Sequence, residues 1–458
     1  MNGELIWRGD GAYEEARVGR VFNARRPDRF PAAVLFAEAE SDVVDGVRLA
    51  RERGLRVSIR SGGHSWAAWS VREDALLIDL GRIHEMTYDP ATGIATASPA
   101  VKGGAELTPF LTGHGRAFPG GHCPSVGIGG FLLQGGQGWN SRKHGWACES
   151  VIAIDVVTAD GRLVHADEHE NADLLWAARG AGPGFFGVVT RFHLRTYPLP
   201  QSMTHDTWTF ELDDLEPLLT WIDDLLPSLD RVVEPVIAAT RLPRPEGPPV
   251  LLLHTTAMCD AAEQAERVLA PLAACPLADR ALAHERGPTS IEAENEAQAQ
   301  QNPEGYRYGV DCTWTDARAA ELAPRLRALW SQLPTEHSFS IWYGWAPSGP
   351  LPDMAFSVQG RAYIATYAIW SDPAEDERHR SWVVDHTQRL AELGIGVYLG
   401  DTDFTRRPDR FLSDAGFRRL EQLRDRWDPE GRFHSYLIAD GATLNAEPVR
   451  RPGTTSAR

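Results

Sequence analysis

The sequence predicts an α+β protein with two kinds of texture along one chain, and three observations lead there. Short apolar or alternating runs bounded by turn residues fill the first 200 residues. Glycine-dense loops interrupt them. After about residue 200, proline-rich breaks such as "RLPRPEGPPV" separate helical stretches from strand-like ones, which predicts a second α+β unit.

The elements follow in order. In "SDVVDGVRLARERGL", Ser41 is an N-cap candidate, Val43, Val44 and Val47 recur near helical spacing, and Gly54 follows the last turn. The stretch reads as a helix. "RVSIR", "ALLIDL" and "IATASPAV" read as strands separated by turn residues such as Asp89, Pro90 and Gly93, and "VIAIDVVTADGRLVHA" reads as a hairpin turning at Asp160-Gly161. "ADLLWAARGAGPGFFGVVTRFHLRTYPLP" reads as helix, glycine loop and strand. In the second unit, "AAEQAERVLAPLAA" is a helix, while "SFSIWYGWA" and "AYIATYAIW" are strands. Within the last run Tyr363 and Tyr367 share one face and Trp370 takes the other. The tail from Asp409 is helical until Asp428-Pro429, then turns into a short run ending near Leu437.

Composition sets the class. The 458 residues are 43% hydrophobic and 24% charged, as in ordinary globular proteins, and the net charge of -17 argues against a nucleic-acid partner. The N-terminus lacks a signal-like apolar core and no window reaches a membrane span, so a soluble, cytoplasmic setting is expected. Five cysteines without CxxC spacing encode neither a disulfide framework nor a zinc site; four are expected to be buried thiols.

Two glycine-rich stretches carry the chemistry. "SIRSGGHSW" places Gly62 and Gly63 at a strand end, where N–H groups can converge on an anion such as phosphate, with Arg60, Ser61 and Ser65 adding polarity and His64 following. A plain tight turn is the alternative. "PGGHCPSVGIGGFLLQGGQGWNSRKHG" holds nine glycines in 27 residues around Cys123, too many for a regular helix or central strand. The backbone there must approach something closely, and a flat multi-ring cofactor suits a loop with few side chains.

"RSGGHS" followed some sixty residues later by "GGHCPSVGIGGFLLQGGQG" resembles the berberine bridge enzyme-like flavin oxidases of the vanillyl-alcohol oxidase family, and the likeness continues through "ARGAGPGFFGVVT" and "DPEGRFHSYL". The resemblance implies a bipartite PCMH-type FAD-binding domain, residues 1–200 completed by 401–447, around a substrate domain at 201–400 built on an antiparallel sheet flanked by helices. A disordered tail is expected at 448–458. It also implies FAD held bicovalently, His64 on the 8α carbon and Cys123 on C6, in a cradle of Arg60, Ser61, Gly62, Gly63, Ser65, Ser125, Val126, Gly127, Gly129, Gly130 and Gly135, with the Val189 backbone near the adenine.

Alcohol oxidation needs a base. In many relatives a tyrosine near the C-terminal motif serves, which points to Tyr436, although His434-Ser435 departs from the usual preceding Asn; packing against the flavin is the other role for Tyr436, and Asp311 and Tyr308 are the next candidates. Val126, three residues after Cys123, matches the position that gates oxygen in the group, or is a small apolar filler. "GPGFFG" satisfies G-x-G-x-x-G, but a strand follows it rather than a helix, so a nicotinamide site is not expected. His165 and His169 are i,i+4 in a polar stretch and are expected to be solvated loop residues rather than metal ligands.

The function implied is an FAD-dependent oxidase acting on a hydroxyl-bearing sugar or secondary metabolite and returning electrons to O2 as peroxide. Carbon–nitrogen oxidation or oxidative cyclisation is the second reading, and a flavin-loaded binding protein of low turnover the third.

Overall fold

Three larger sheets and a two-stranded pair, Arg116–Ala117 with Tyr197–Pro198, are built from short, mostly buried runs, and the computed structural model describes residues 2–242, 244, 246–347 and 349–445. The first sheet holds β1 (Glu4–Trp7), β2 (Ala33–Phe36), β3 (Val57–Arg60) and β4 (Leu76–Asp79) in the order β1-β2-β4-β3, with β2, β4 and β3 parallel. Helix α1 (Glu40–Glu52) covers it with Val43, Val47 and Ala50 fully buried against Leu35 and Ile78. The helix starts before Ser41, because Asp42 reaches back to accept the N–H groups of Glu38 and Ala39 at 3.1 and 3.2 Å.

The second sheet has five antiparallel strands, β5 (Met86–Asp89), β6 (Ile94–Ala97), β7 (Val151–Val157), β8 (Leu163–Ala166) and β9 (Val188–Arg195), ordered β5-β6-β9-β7-β8. The hairpin at Asp160-Gly161 joins β7 and β8. Inside the glycine-rich stretch a short helix, α2 (Ile128–Leu133), forms despite Gly129 and Gly130, since Ile128 and Leu132 are buried in the core. That helix was not expected from composition. After a single helical turn at Ser141–His144 comes helix α3 (Ala172–Ala178).

The third sheet is an eight-stranded antiparallel insert. Its strands are β10 (Ser202–Glu211), β11 (Val233–Thr240), β12 (Val250–Cys259), β13 (Ala283–Pro288), β14 (Arg307–Thr315), β15 (Phe339–Gly344), β16 (Ala362–Trp370) and β17 (Gly394–Gly396), ordered β13-β10-β12-β11-β15-β16-β14-β17. Alternation decides its faces. Ile237, Leu251, Leu253, Trp342 and Ile364 point outward into a core shared with α4 (Leu215–Leu225), α5 (Gln264–Ala273) and, beyond α6 (Ile291–Gln301), α7 (Ala319–Trp330). Trp370 also faces outward, where Nε1 donates to Asp376 of α8 (Asp376–Ala391) at 2.9 Å. The opposite face, carrying Val236, His254, Ile341, Tyr343, Tyr363 and Tyr367, roofs a cavity.

The chain then returns to its beginning. Helix α9 (Asp414–Trp427) is capped by Ser413 Oγ, which accepts the Gly416 N–H at 3.1 Å, and the segment after it lays Phe433 parallel to Val57 of β3. The fold is thus a bipartite α+β domain, its N-terminal part completed by the C-terminal segment, with an inserted sheet domain between them. The tail expected at 448–458 lies outside the described residues. Among the described residues no helix is long and apolar enough to cross a membrane.

Candidate functional site

The two glycine-rich stretches, some sixty residues apart in sequence, meet backbone to backbone under the roof. A Cβ on Gly62 would stand 2.5 Å from the Gly127 nitrogen, and one on Gly127 would stand 2.8 Å from the Gly62 Cα. Only glycine permits that approach. Gly63 has φ +77°, and a Cβ there would lie 1.8 Å from the Arg20 carbonyl oxygen. The resulting cavity encloses about 580 Å³ and reaches from β3 to the inner face of the insert.

Of the residues expected in the cradle, Ser61, Gly62, Gly63, His64 and Ser65 line the cavity from one side, and Cys123, Val126, Gly127, Gly129 and Gly130 from the other. Val189 lines it as well. Ser125 does not reach the wall. It links the two reactive side chains instead, with its backbone bonded to His64 and its hydroxyl 3.7 Å from the Cys123 Sγ. Burial, helped by the charge of Lys102, lowers the His64 imidazole to about 4, so it is neutral at physiological pH. Its ring stacks on Phe22 at 4.2 Å. Burial raises the Cys123 thiol, opposed by the Ser125 hydrogen bonds. Four buried polar atoms on the wall, Ser58 Oγ, Trp69 Nε1, Gln137 Nε2 and His434 Nε2, lack partners among the described residues, as donors and acceptors reserved for a polar guest would.

Several expected roles are corrected by the geometry. Arg60 lines the cavity as well, but its guanidinium is bound to Asp79 and donates to the Ala16 and Arg17 carbonyls at 2.6 Å each. It fixes the strand from which the loop springs. Gly135 is off the wall and packs toward the Phe356 ring. Tyr436 is not on the cavity wall either; its hydroxyl donates to the Ala181 carbonyl at 2.6 Å and its ring packs over Gly184 and Phe411. A base must reach substrate, and this phenol cannot. The alternative candidates fail similarly: Asp311 is buried in an ion pair with Arg407 at 2.6 Å, and the Tyr308 hydroxyl donates to Pro303 at 2.6 Å. Finally, His165 sits on β8, where Asp155, His165 and His193 bring potential ligand atoms within 4.8 Å of one another, with Arg191 also on that carboxylate at 3.2 Å. His169 is not part of the group.

A titratable group on the wall beside His64's loop is Asp401. Its Oδ2 accepts the hydroxyls of Tyr363 at 2.6 Å and Tyr367 at 2.9 Å, and its Oδ1 accepts the indole N–H of Trp66 at 2.9 Å. All four residues line the cavity. Burial raises the carboxyl above the usual aspartate range, against the lowering effect of the three hydrogen bonds, and burial together with the Asp401 charge holds both phenols well above theirs. Of the trio the carboxyl is therefore the most acidic group. Sequence reasoning placed Tyr363 and Tyr367 on one face but missed Asp401, which sits on a short turn after β17; two strand tyrosines with hydroxyls on one side were the available signal.

Residues 31–167 match the family model of the FAD binding domain. The FAD-linked oxidoreductase janO of Penicillium janthinellum is 35% identical over 443 residues, covering 95% of this chain and 98% of that protein. The xylooligosaccharide oxidase of Thermothelomyces thermophilus is 40% identical over 185 residues, 40% of this chain and 37% of that protein. Among solved structures, BBE-like 1 of Physcomitrella patens superposes with TM-score 0.82 at 20% identity, covering 95% of this chain and 96% of that one. The 6-hydroxy-D-nicotine oxidase of Arthrobacter nicotinovorans does so with TM-score 0.82 at 23% identity, covering 96% and 98%. With the matched FAD binding domain and the near full-length relative, the chain belongs to the FAD-linked oxidoreductases, and its fold is that of BBE-like 1.

Proposed function

We propose that this enzyme carries FAD bonded to both His64 and Cys123 and oxidises a hydroxyl-bearing small molecule, with Asp401 as the proton acceptor. The observation that carries the reading is the Asp401 carboxylate, held by Tyr363, Tyr367 and Trp66 on the wall of the cavity that also contains His64 and Cys123. Bound FAD supplies a two-electron acceptor for hydride and passes the electrons to O2 as hydrogen peroxide.

The chain's own residues supply the rest. Gly62, Gly63 and Gly127 present backbone N–H groups without side chains, which suits the pyrophosphate, and Ser58 and His434 offer unpartnered polar atoms beside them. A neutral His64 keeps a free lone pair for bond formation. Tyr367, the more exposed of the two tyrosines, relays the hydroxyl proton of the substrate to Asp401, and Tyr363 with Trp66 holds the carboxylate in place. Removing that proton is needed for alcohols and not for neutral amines, which favours carbon–oxygen over carbon–nitrogen oxidation. Val126 lies on the wall beside Cys123, small enough to leave room for O2.

Two measurements test the reading. Acid-precipitated protein should stay yellow, with His64→Ala and Cys123→Ala each retaining flavin through the other bond and only the double variant releasing all of it. Anaerobic mixing with a panel of alcohols and matched amines should bleach the flavin with alcohols alone; release of FAD from the wild type by acid, or bleaching by amines only, would overturn the respective part.

A further inference from the structure

The roof of the cavity has a second polar pole, far from Asp401. His254 of β12 bonds through Nδ1 to the Thr207 hydroxyl at 2.8 Å and through Nε2 to Glu294 at 3.2 Å. Glu294 belongs to α6, a helix without an apolar stripe, whose residues Glu294, Ala297, Gln298 and Gln301 fall on one face by their spacing and line the cavity. His122, next to Cys123, closes the corner with its ring edge-on to Trp139 at 4.3 Å and within the fields of Glu294 and His254.

Register fixes how far this pole is from the base. Thr207 is opposite His254, His254 opposite Val236, Val236 opposite Tyr343, and Tyr343 opposite Tyr363, so one row of side chains crosses the sheet from pole to base. His254 and Tyr363 are three strand spacings apart, about 14 Å at roughly 4.8 Å per strand. The wall between them is mostly apolar, with Val236, Ala238, Leu252, Ile341 and Phe339 turned inward. Glu234 and Tyr343 in the same stretch are bonded to each other at 3.1 Å, and Glu234 also accepts the N–H groups of Asn140 and Arg142. A chain of sugars, with hydroxyls along its whole length, would leave most of them unanswered by this belt.

We infer that the His254–Glu294–Thr207 cluster is a distal recognition subsite, and that the substrate is an elongated, largely apolar fused-ring alcohol with a hydrogen-bonding group at the end remote from the oxidised carbon. The inference rests on the oxidase reading above for which end reacts. The distal group docks against a His–carboxylate pair that can both donate and accept, while the ring body covers the belt and the reacting hydroxyl meets Tyr367 and Asp401.

The test titrates the holoenzyme anaerobically with 5α-androstane-3β,17β-diol, with its 17-deoxy analogue 5α-androstan-3β-ol, and with xylobiose, reading binding from the change in the flavin absorption spectrum. The diol should bind about tenfold or more tightly than the mono-alcohol, as one hydrogen bond to an ionised partner would give, and xylobiose should bind more weakly than either. In His254→Leu, and independently in Thr207→Val, the preference for the diol should shrink to about twofold while mono-alcohol affinity is kept; in His254→Gln part of it should return. Asp401→Asn should keep the diol preference and lose flavin reduction. A preference that survives both His254→Leu and Thr207→Val, tighter binding of xylobiose, or no binding of either steroid overturns the subsite. Unchanged flavin reduction in Asp401→Asn would instead overturn the assignment of the base and leave the binding result standing.

Discussion

Replacing Asp401 by Asn separates charge from shape at the proposed base. The carboxylate receives three donors, the Tyr363 and Tyr367 hydroxyls on Oδ2 and the Trp66 N–H on Oδ1. An asparagine with Oδ1 toward Trp66 and Nδ2 toward the tyrosines satisfies the same set, because each phenol can turn from donor to acceptor. The three contacts are kept in number, although each phenol O–H gives up its carboxylate acceptor, so flavin content and fold should be kept. What disappears is an ionised acceptor for the hydroxyl proton, and loss of a positioned general base slows the chemical step by roughly 10²- to 10⁴-fold, about 3 to 5 kcal/mol of barrier.

Stability should move the other way. The Asp401 carboxyl is raised in the folded state, chiefly by burial, so the fold binds that proton more tightly than the unfolded chain does. Its contribution to stability is full below the unfolded value and is lost as pH rises through the folded one. Above that folded value the wild type carries the cost of a buried charge, so its melting temperature relative to Asp401→Asn should fall as pH rises through it. Stopped-flow reduction of the flavin, with the fastest alcohol of a panel, is the assay. The wild-type limiting rate should rise with pH through a value above the ordinary aspartate range, and the variant should be slow and flat. A variant within about threefold of wild type, or one whose slow rate still follows the wild-type pH profile, refutes the assignment.

Tyr436→Phe should leave flavin reduction within about twofold and cost only about 1 kcal/mol of stability in chemical denaturation, the worth of its bond to the Ala181 carbonyl; a reduction slowed a hundredfold would return Tyr436 to the chemistry. Val126→Leu adds a methylene to a packed wall beside Cys123 and should slow reoxidation by O2, followed by rapid mixing of reduced enzyme with aerated buffer, while substrate reduction is nearly unchanged. Gly62→Ala forces a Cβ to 2.5 Å from the Gly127 nitrogen, so the loops must part, and flavin content measured by absorbance should fall even where the protein remains soluble.

The parts of the fold legible in the sequence are those whose period or turn chemistry is local. The hairpin at Asp160-Gly161 and the alternation of "AYIATYAIW" needed nothing beyond neighbouring residues. The glycine loops announced a close approach, but not that the partner of Gly62 would be Gly127. Misplaced roles share a different cause. Arg60 and Tyr436 are polar groups in motif positions whose hydrogen-bond partners, Asp79 and the Ala181 carbonyl, come from other segments. Asp401 was invisible because its three partners lie 34, 38 and 335 residues away. A carboxylate becomes a base through burial and company, which no local pattern encodes.

The position of Asp401 also explains how one scaffold can change substrate while keeping its chemistry. Trp66, which donates to Asp401, stands two residues after His64, so the loop that carries the proposed flavin attachment and the proposed base are tied by one hydrogen bond of 2.9 Å. Tyr363 and Tyr367 add the central strand β16 to that unit, and Asp401 itself lies on the turn where the chain leaves the insert for the C-terminal segment. The reacting geometry is thus fixed at the junction of the two domains by groups that are buried on both sides. The wall formed by β10, β12 and α6 touches none of these residues by hydrogen bond, since its own network closes among Thr207, His254, Glu294 and Thr289. Substitutions there alter what the cavity holds without moving the base relative to His64. A site built this way separates recognition from reaction physically, because the two networks share the apolar belt of the roof and no polar partner.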